Sequence, residues 1–182
     1  MALLYPGTTL TPTKLEVLRG WLADADWFDD DPSTIELPRR STYRFDDPAG
    51  AVGIETLVAS WRERLIQLPL TYRDAPLAGA EQHLLTTMEH GVLGRRWCYL
   101  GLADPVAVTA FVRAVLAGEE SVPLELEVDG ERQVAHADVT ARGTGTGPAP
   151  DAVELIDLVT SGPTSVAITS AASSPSRTSW RA

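Results

Sequence analysis

The chain is predicted to fold as an α+β domain, an antiparallel β-sheet meander with packed helices. Three observations predict it. Residues 43–73 hold two runs of about ten mostly apolar and β-branched residues, parted only by the charged corner Trp61-Arg62-Glu63-Arg64. Two further segments show the apolar spacing of amphipathic helices between cap signals. Helical and extended patterns do not alternate as βαβ units require, which argues against a doubly wound nucleotide fold.

Taken in order, residues 1–10 are expected to add a short edge strand, with Pro6-Gly7 as a turn. A helix follows. Thr11 can cap it with Pro12 at the first helical position, or Thr13 and Glu16 can form a capping box. Leu15, Leu18, Leu22 and Ala25, with Val17 and Trp21, mark one broad buried face. The acidic loop Asp29-Asp30-Asp31-Pro32 opens a strand over residues 34–45, whose first half is demoted to an edge or irregular lead-in by Pro38. After the turn formers at residues 46–50, Val52, Ile54, Thr56, Val58 and Ser60 alternate with Gly53, Glu55, Leu57 and Ala59. One face of this strand is expected to be largely apolar and the other mixed; residues 64–73 pair with it.

Residues 77–100 suit either short strands or a broken helix. Residues 82–89 read as extended, Gly91 and Gly94 impose turns, and residues 95–100 form a strand with Trp97 and Tyr99 on one face. A second helix starts at Asp104-Pro105 and stops before Gly118, with Val108, Phe111, Val112 and Val115 as its stripe. Strands at 122–128 and 133–142 meet at Asp129-Gly130, a strong hairpin signal. Residues 143–150 read as a flexible linker before a last strand at 153–159. From Leu158 to Ala182 the chain holds no acid and is mainly Ser, Thr and Ala, the composition of a frayed or disordered tail. The expected organisation is a domain over residues 1–145 and a linker, last strand and tail over 146–182.

A chain of 182 residues with 44% hydrophobic content can bury the core of one globular unit. Acids outnumber bases 25 to 15, which argues against nucleic acid and anionic membranes as partners. Lys14 is the only lysine, so Schiff-base chemistry or lysine-assisted phosphate binding would fall on it alone. Cys98 is the only cysteine, so no internal disulfide forms. The first residues lack a basic n-region and break at Pro6, and no apolar run reaches the roughly 20 residues that span a bilayer. A cytoplasmic protein is expected.

No residue cluster declares a reaction. Gly143-Thr144-Gly145-Thr146-Gly147 looks like a phosphate loop, but Pro148-Ala149-Pro150 prevents a following helix and no Lys-Ser/Thr pair follows. His83, Glu89, His90 and Cys98 are the nearest approach to a metal set, at spacings zinc sites do not use. Asp24, Asp26, Asp29, Asp30 and Asp31, and Asp46 with Asp47, lack the register of a calcium loop and read as a solvated rim. Glu55 and Glu89 sit in apolar runs, where a half-exposed strand residue is the simpler reading than a general acid. No Gly-x-Ser-x-Gly elbow occurs. Catalytic, cofactor and metal residues are therefore not assigned. Of the five tryptophans, Trp61 at its hairpin corner and Trp97 are the candidates for a ligand or partner surface; the competing reading places tryptophans in the core.

Four segments carry a family resemblance: TPTKLEVLRGWLADADWF, YRFDDPAGAVGIETL, LIQLPLTYRDAPLAGA and TMEHGVLGRRWCYLGLADP. Together they resemble stand-alone actinobacterial proteins related to the maltokinase N-terminal cap domain, over roughly residues 1–145. The resemblance implies a cystatin-like topology, a helix against an antiparallel sheet. In maltokinases such a cap precedes the kinase lobes. A kinase needs an Asp base and metal-binding Asp/Asn residues in a large C-terminal lobe, and none of these is carried over to this chain. What the resemblance implies is a non-catalytic accessory or regulatory protein, docking on an enzyme of bacterial maltose, trehalose or α-glucan metabolism or on a second copy. A carbohydrate- or metabolite-binding module using Trp61 or Trp97 is the alternative. A hydrolase would require a pocket where His83, His90 and Glu89 converge.

Overall fold

The computed structural model describes residues 2–4, 8–38, 41–128, 131–135 and 137–170. Strands β1 (Ala2–Leu4) and β2 (Leu10–Thr11) precede helix α1 (Lys14–Ala23), β3 (Thr42–Phe45), β4 (Gly53–Trp61) and β5 (Arg64–Arg73). Then come β6 (Leu84–His90), β7 (Gly94–Leu100) and helix α2 (Pro105–Ala117). Four strands follow: β8 (Leu124–Val128), β9 (Glu131–Ala135), β10 (Leu155–Ser161) and β11 (Thr164–Thr169). The main sheet has six strands in the order β2-β6-β7-β5-β4-β3, every pair antiparallel. With two helices against it, the fold is α+β.

The helices start where their local chemistry allows. Thr13 caps α1: the Glu16 amide donates to its hydroxyl at 3.3 Å, and the Thr13 amide donates back to the Glu16 carboxylate at 2.7 Å. The capping-box frame is thus the one used, and Thr11 belongs to β2. Asp104 caps α2, accepting from the Val106 amide at 3.0 Å, with Pro105 at the first helical position. Gly118 ends α2 at φ 71°, a left-handed conformation that glycine adopts without a Cβ clash.

Two apolar cores lie on opposite faces of the sheet. On one face Val17, Leu18 and Leu22 of α1 pack with Leu57, Ala59 and Trp61 of β4 and with Ile66, Leu68 and Leu70 of β5. On the other, Ala107, Val108 and Phe111 of α2 pack with Tyr43 and Phe45 of β3 and with Ile54 and Val58 of β4. Ile54 to Ala59 are all buried, so the mixed face expected for β4 is a second core face. Its polar positions mislead because Glu55 and Thr56 are each 2% exposed.

Three expectations are corrected. The strand expected over residues 34–45 is confined to Thr42–Phe45. Pro32–Thr34 forms a 3-10 turn capped by Asp31, and the Ile35 carbonyl is taken by the Arg19 guanidinium at 2.8 Å in place of a sheet partner. The meander also breaks after β5: β7, not β6, pairs with β5, and β6 lies outside it. The connection at residues 74–83, with its own 3-10 turn at Glu81–His83, is long enough to carry the chain past β7. β1 forms the edge of a separate sheet, parallel to β8, which pairs with β9; the Asp129-Gly130 turn lies outside the described residues.

The third correction concerns residues 143–169. Composition reads 143–150 as a flexible linker, yet the amides of Gly143, Gly145 and Gly147 donate to the carbonyls of Glu119, Val115 and Leu116 at 3.1, 3.0 and 2.8 Å. The last two answer carbonyls that the end of α2 leaves without partners. The approach is close enough to demand glycine: a Cβ at Gly143 would fall on the Ala114 carbonyl, and one at Gly145 on that of Leu116. Beyond this strap, β10 and β11 form a hairpin that presses Leu155, Leu158 and Ala167 onto the α2 core. The frayed tail expected from Leu158 is therefore strand through Thr169, and its part from 171 to 182 lies outside the described residues.

Candidate functional surface

The sheet gathers its most polar cluster under the N-terminus of α1. Glu55 accepts from Lys14 at 2.7 Å, from Arg44 at 3.2 Å and from the Tyr72 hydroxyl at 2.9 Å. Arg44 stands directly across from it on β3. Burial pushes the Glu55 carboxyl up, but the charges of Arg44 and Lys14 and the hydrogen bonds from Lys14 and Tyr72 prevail and hold it at about 2. Tyr72 responds in the opposite sense: burial, then the Glu55 charge, raise its phenol well above the ordinary value. Every group in the cluster is bonded to another, so it fixes α1 to the sheet and presents no free acid or base. Glu55 is thus no half-exposed strand residue.

Asp104, fully buried, receives Arg73 in a two-pronged pair with both distances 2.7 Å, which ties β5 to the start of α2. Trp61 is 9% exposed and does not offer the corner platform that its position at a turn suggests. Its ring packs against Trp27 and Phe28 at 5.9 and 5.0 Å, Arg62 stacks on it at 4.7 Å, and its indole N–H donates to Asp30 at 2.7 Å. Odd positions of β4 face α1, and that parity takes the last residue of the strand inward.

His83, His90, Glu89 and Cys98 are not brought together as a site. The His90 ring accepts the amides of Val92 and Leu93 at 3.2 and 3.1 Å, and burial, then Arg96, lower its basicity. Glu89 pairs with Arg95 at 2.9 Å on the surface. Cys98 is buried and its thiol is pushed up to about 12 by that burial and by Glu55. Among the described residues no group of His, Cys, Asp or Glu is disposed to hold a metal ion. Much of the acidic rim is occupied with its own backbone: Asp47 accepts the amides of Ala49, Ala51 and Val52, and Asp31 that of Ser33. No helix among the described residues is long and apolar enough to cross a membrane.

What remains faces outward. Trp97 is half-buried on β7, opposite Arg73 and Thr87, on the sheet face away from α1. Near the ends of the same hairpin Leu84, Val92 and Leu93 are 37%, 60% and 41% exposed. The outer face of β10–β11 is more apolar still. Leu158 and Ala167 are cross-strand partners facing the core, so the next pair, Val159 and Val166, faces out together with Ile168. Ile156 sits at the register shift between Leu155 and Asp157. Ile156, Val159 and Ile168 are 63%, 46% and 42% exposed. Sequence reasoning missed this face because a Ser/Thr-rich composition hid its alternating Val and Ile.

Residues 21–104 match the family model of the maltokinase N-terminal cap domain. Over this span the chain is similar to that family. The matched span runs from the last turn of α1 through strands β3–β7 and ends on Asp104, the residue that caps α2. It contains Arg44, Glu55, Tyr72 and Arg73, whereas Lys14, α2 and β8–β11 lie outside it. Only a cap domain is recognised, and no kinase catalytic domain. A search of curated proteins finds no match to the chain.

Proposed function

We propose that this protein is a non-catalytic accessory domain that docks on an enzyme of bacterial maltose, trehalose or α-glucan metabolism in the cytoplasm. The cap-domain match supports the choice of partner class. The observation that carries docking is the β10–β11 outer face, where Val159, Val166 and Ile168 form a row beside Ile156. Covering side chains exposed to this degree contributes about 1 kcal/mol each, enough for a hairpin face to matter in binding. The buried polar clusters favour this reading too, since Glu55 and Asp104 are spent on holding elements together.

The test mixes the chain with maltokinase lobes stripped of their own cap and follows co-elution. A complex is expected for the wild type and not for a Val159→Lys/Ile168→Lys variant. Absence of any complex with the wild type would sink the reading. Self-association that the same substitutions abolish would instead make a second copy the occupant.

Trp97 motivates a second reading, a carbohydrate-binding surface, because among the described residues no ring or hydrogen-bond partner engages it. Titration with maltose, trehalose and glucosamine should then quench or shift tryptophan emission in the wild type and leave Trp97→Phe unchanged. No response to any of the three removes this reading.

A further inference from the structure

A cleft of about 330 Å3 opens between the sheet, the end of α2 and residues 139–143. It is left by side chains too small to fill it. Ile66, Leu68 and Leu70 of β5 face α1, so the alternate positions Leu65 and Gln67 look toward α2. What they meet there is Ala114 of the helix and Gly143 of the strap, where a Cβ would fall on the Ala114 carbonyl. Tyr43, Phe45, Val58 and Val139 supply an apolar wall. The volume lies near the lower end of the range, roughly 300–1,000 Å3, in which small ligands are held.

The polar side chains of this cleft favour one kind of occupant. Besides Tyr43 they are Gln67, Thr140 and Arg142, and the lining holds no acid, in a chain where acids outnumber bases 25 to 15. Tyr43 is 5% exposed and donates its hydroxyl to the Gln67 side-chain carbonyl at 2.8 Å. That bond fixes the carbonyl and leaves the Gln67 NH2 group, two donors that no described residue takes. Arg142 is exposed, and among the described residues its guanidinium makes no hydrogen bond or ion pair, its cross-strand neighbour Glu120 included. Spare donors and a spare guanidinium beside an apolar wall suit an apolar body that ends in an anion.

We propose that this cleft binds a small apolar carboxylate, an aliphatic or aromatic monoacid. Its hydrocarbon lies against Tyr43, Phe45 and Val58, and its carboxylate is taken by the Gln67 NH2 group and Arg142. The half-buried Gln67 carries most of the discrimination, because water screens an exposed guanidinium. The cleft shares no residue with β10–β11 and does not include Trp97, so it stands apart from the docking and sugar readings.

Titration with octanoate, and with octanol as its uncharged counterpart, followed through backbone amide shifts in NMR, tests the proposal. Saturable shifts at Gln67, Ala114 and Gly143 are expected, with a Kd on the order of 0.1–1 mM for octanoate and about tenfold weaker for octanol. Gln67→Glu keeps an acceptor for the Tyr43 hydroxyl but turns a carboxylate toward the ligand; it should abolish octanoate binding and leave octanol binding unchanged. Arg142→Gln, at the surface, should weaken octanoate about threefold with an unchanged far-UV circular dichroism spectrum. The absence of saturable shifts at these residues overturns the proposal. So does octanol binding as tightly as octanoate, or octanoate binding that survives both variants.

Discussion

Because the Glu55 carboxyl is held at about 2 inside the sheet, against an ordinary 4.5, folding at neutral pH draws on its ionised form. The folded-state value is depressed, so the contribution is present above pH 4.5 and lost as pH falls toward 2. Its size is on the order of 3 kcal/mol. Glu55→Gln is expected to lower stability by about that amount at neutral pH, with a deficit that shrinks toward about pH 3. Urea midpoints at both pH values check this; a deficit that does not change with pH would deny the charge its role. The sequence shows an acid in an apolar run and cannot show that Lys14 arrives from another element to meet it. The partner across the strand, Arg44, follows from register, which depends on how long the β3–β4 turn is. Cys98 carries a simpler expectation. A thiol buried completely and pushed up to about 12 should resist thiol reagents in the native state and react at the rate of global opening. Fast labelling under native conditions would contradict that packing.

At the level of elements, both helices were legible at their starts because their caps are local. Thr13 with Glu16 and Asp104 with Pro105 act within a few residues of the helices they begin. The strap at residues 143–147 was not legible, since its hydrogen-bond partners lie on the far end of α2 and a glycine-rich run has the same composition whether it is loose or threaded against a helix. The order of β6 and β7 was hidden for a related reason: a hairpin looks the same from either side, and only the pairing of Tyr72 with Cys98 reveals which strand is inner. Gly143→Ala is expected to cost about 2–4 kcal/mol, because the new methyl meets backbone that cannot rotate away. Hydrogen exchange should then quicken at Gly143, Gly145 and Gly147. Unchanged exchange there would mean the strap tolerates a Cβ.

For the whole molecule, β4 is the shared wall of both cores, one parity belonging to α1 and the other to α2. Damage on either side should therefore reach the other. Leu57→Ala, at a fully buried position, is expected to cost about 2–5 kcal/mol, and Val58→Ala on the opposite face somewhat less. In both variants tryptophan emission, dominated on the α1 side by Trp21, Trp27 and Trp61, and far-UV circular dichroism should report one common midpoint. Separate midpoints would show two independent halves. The α+β class was legible because the strands around residues 53–73 and both helices follow simple periods. The surface was less so: Trp61 turned inward with its strand, and the apolar row on β10–β11 lay where composition promised a tail.

The strap has a consequence for how the chain matures as it is made. The last carbonyls of α2 are answered by amides that are synthesised only after β8 and β9 have emerged, and the hairpin that covers the α2 core comes later still. The α1 face of the sheet can close early from near neighbours, whereas the α2 face stays unsealed until nearly the whole described chain is out. A nascent chain halted soon after α2 should therefore expose Phe111 and Val112 to chaperones, and release of that binding should follow the arrival of Gly143 to Gly147.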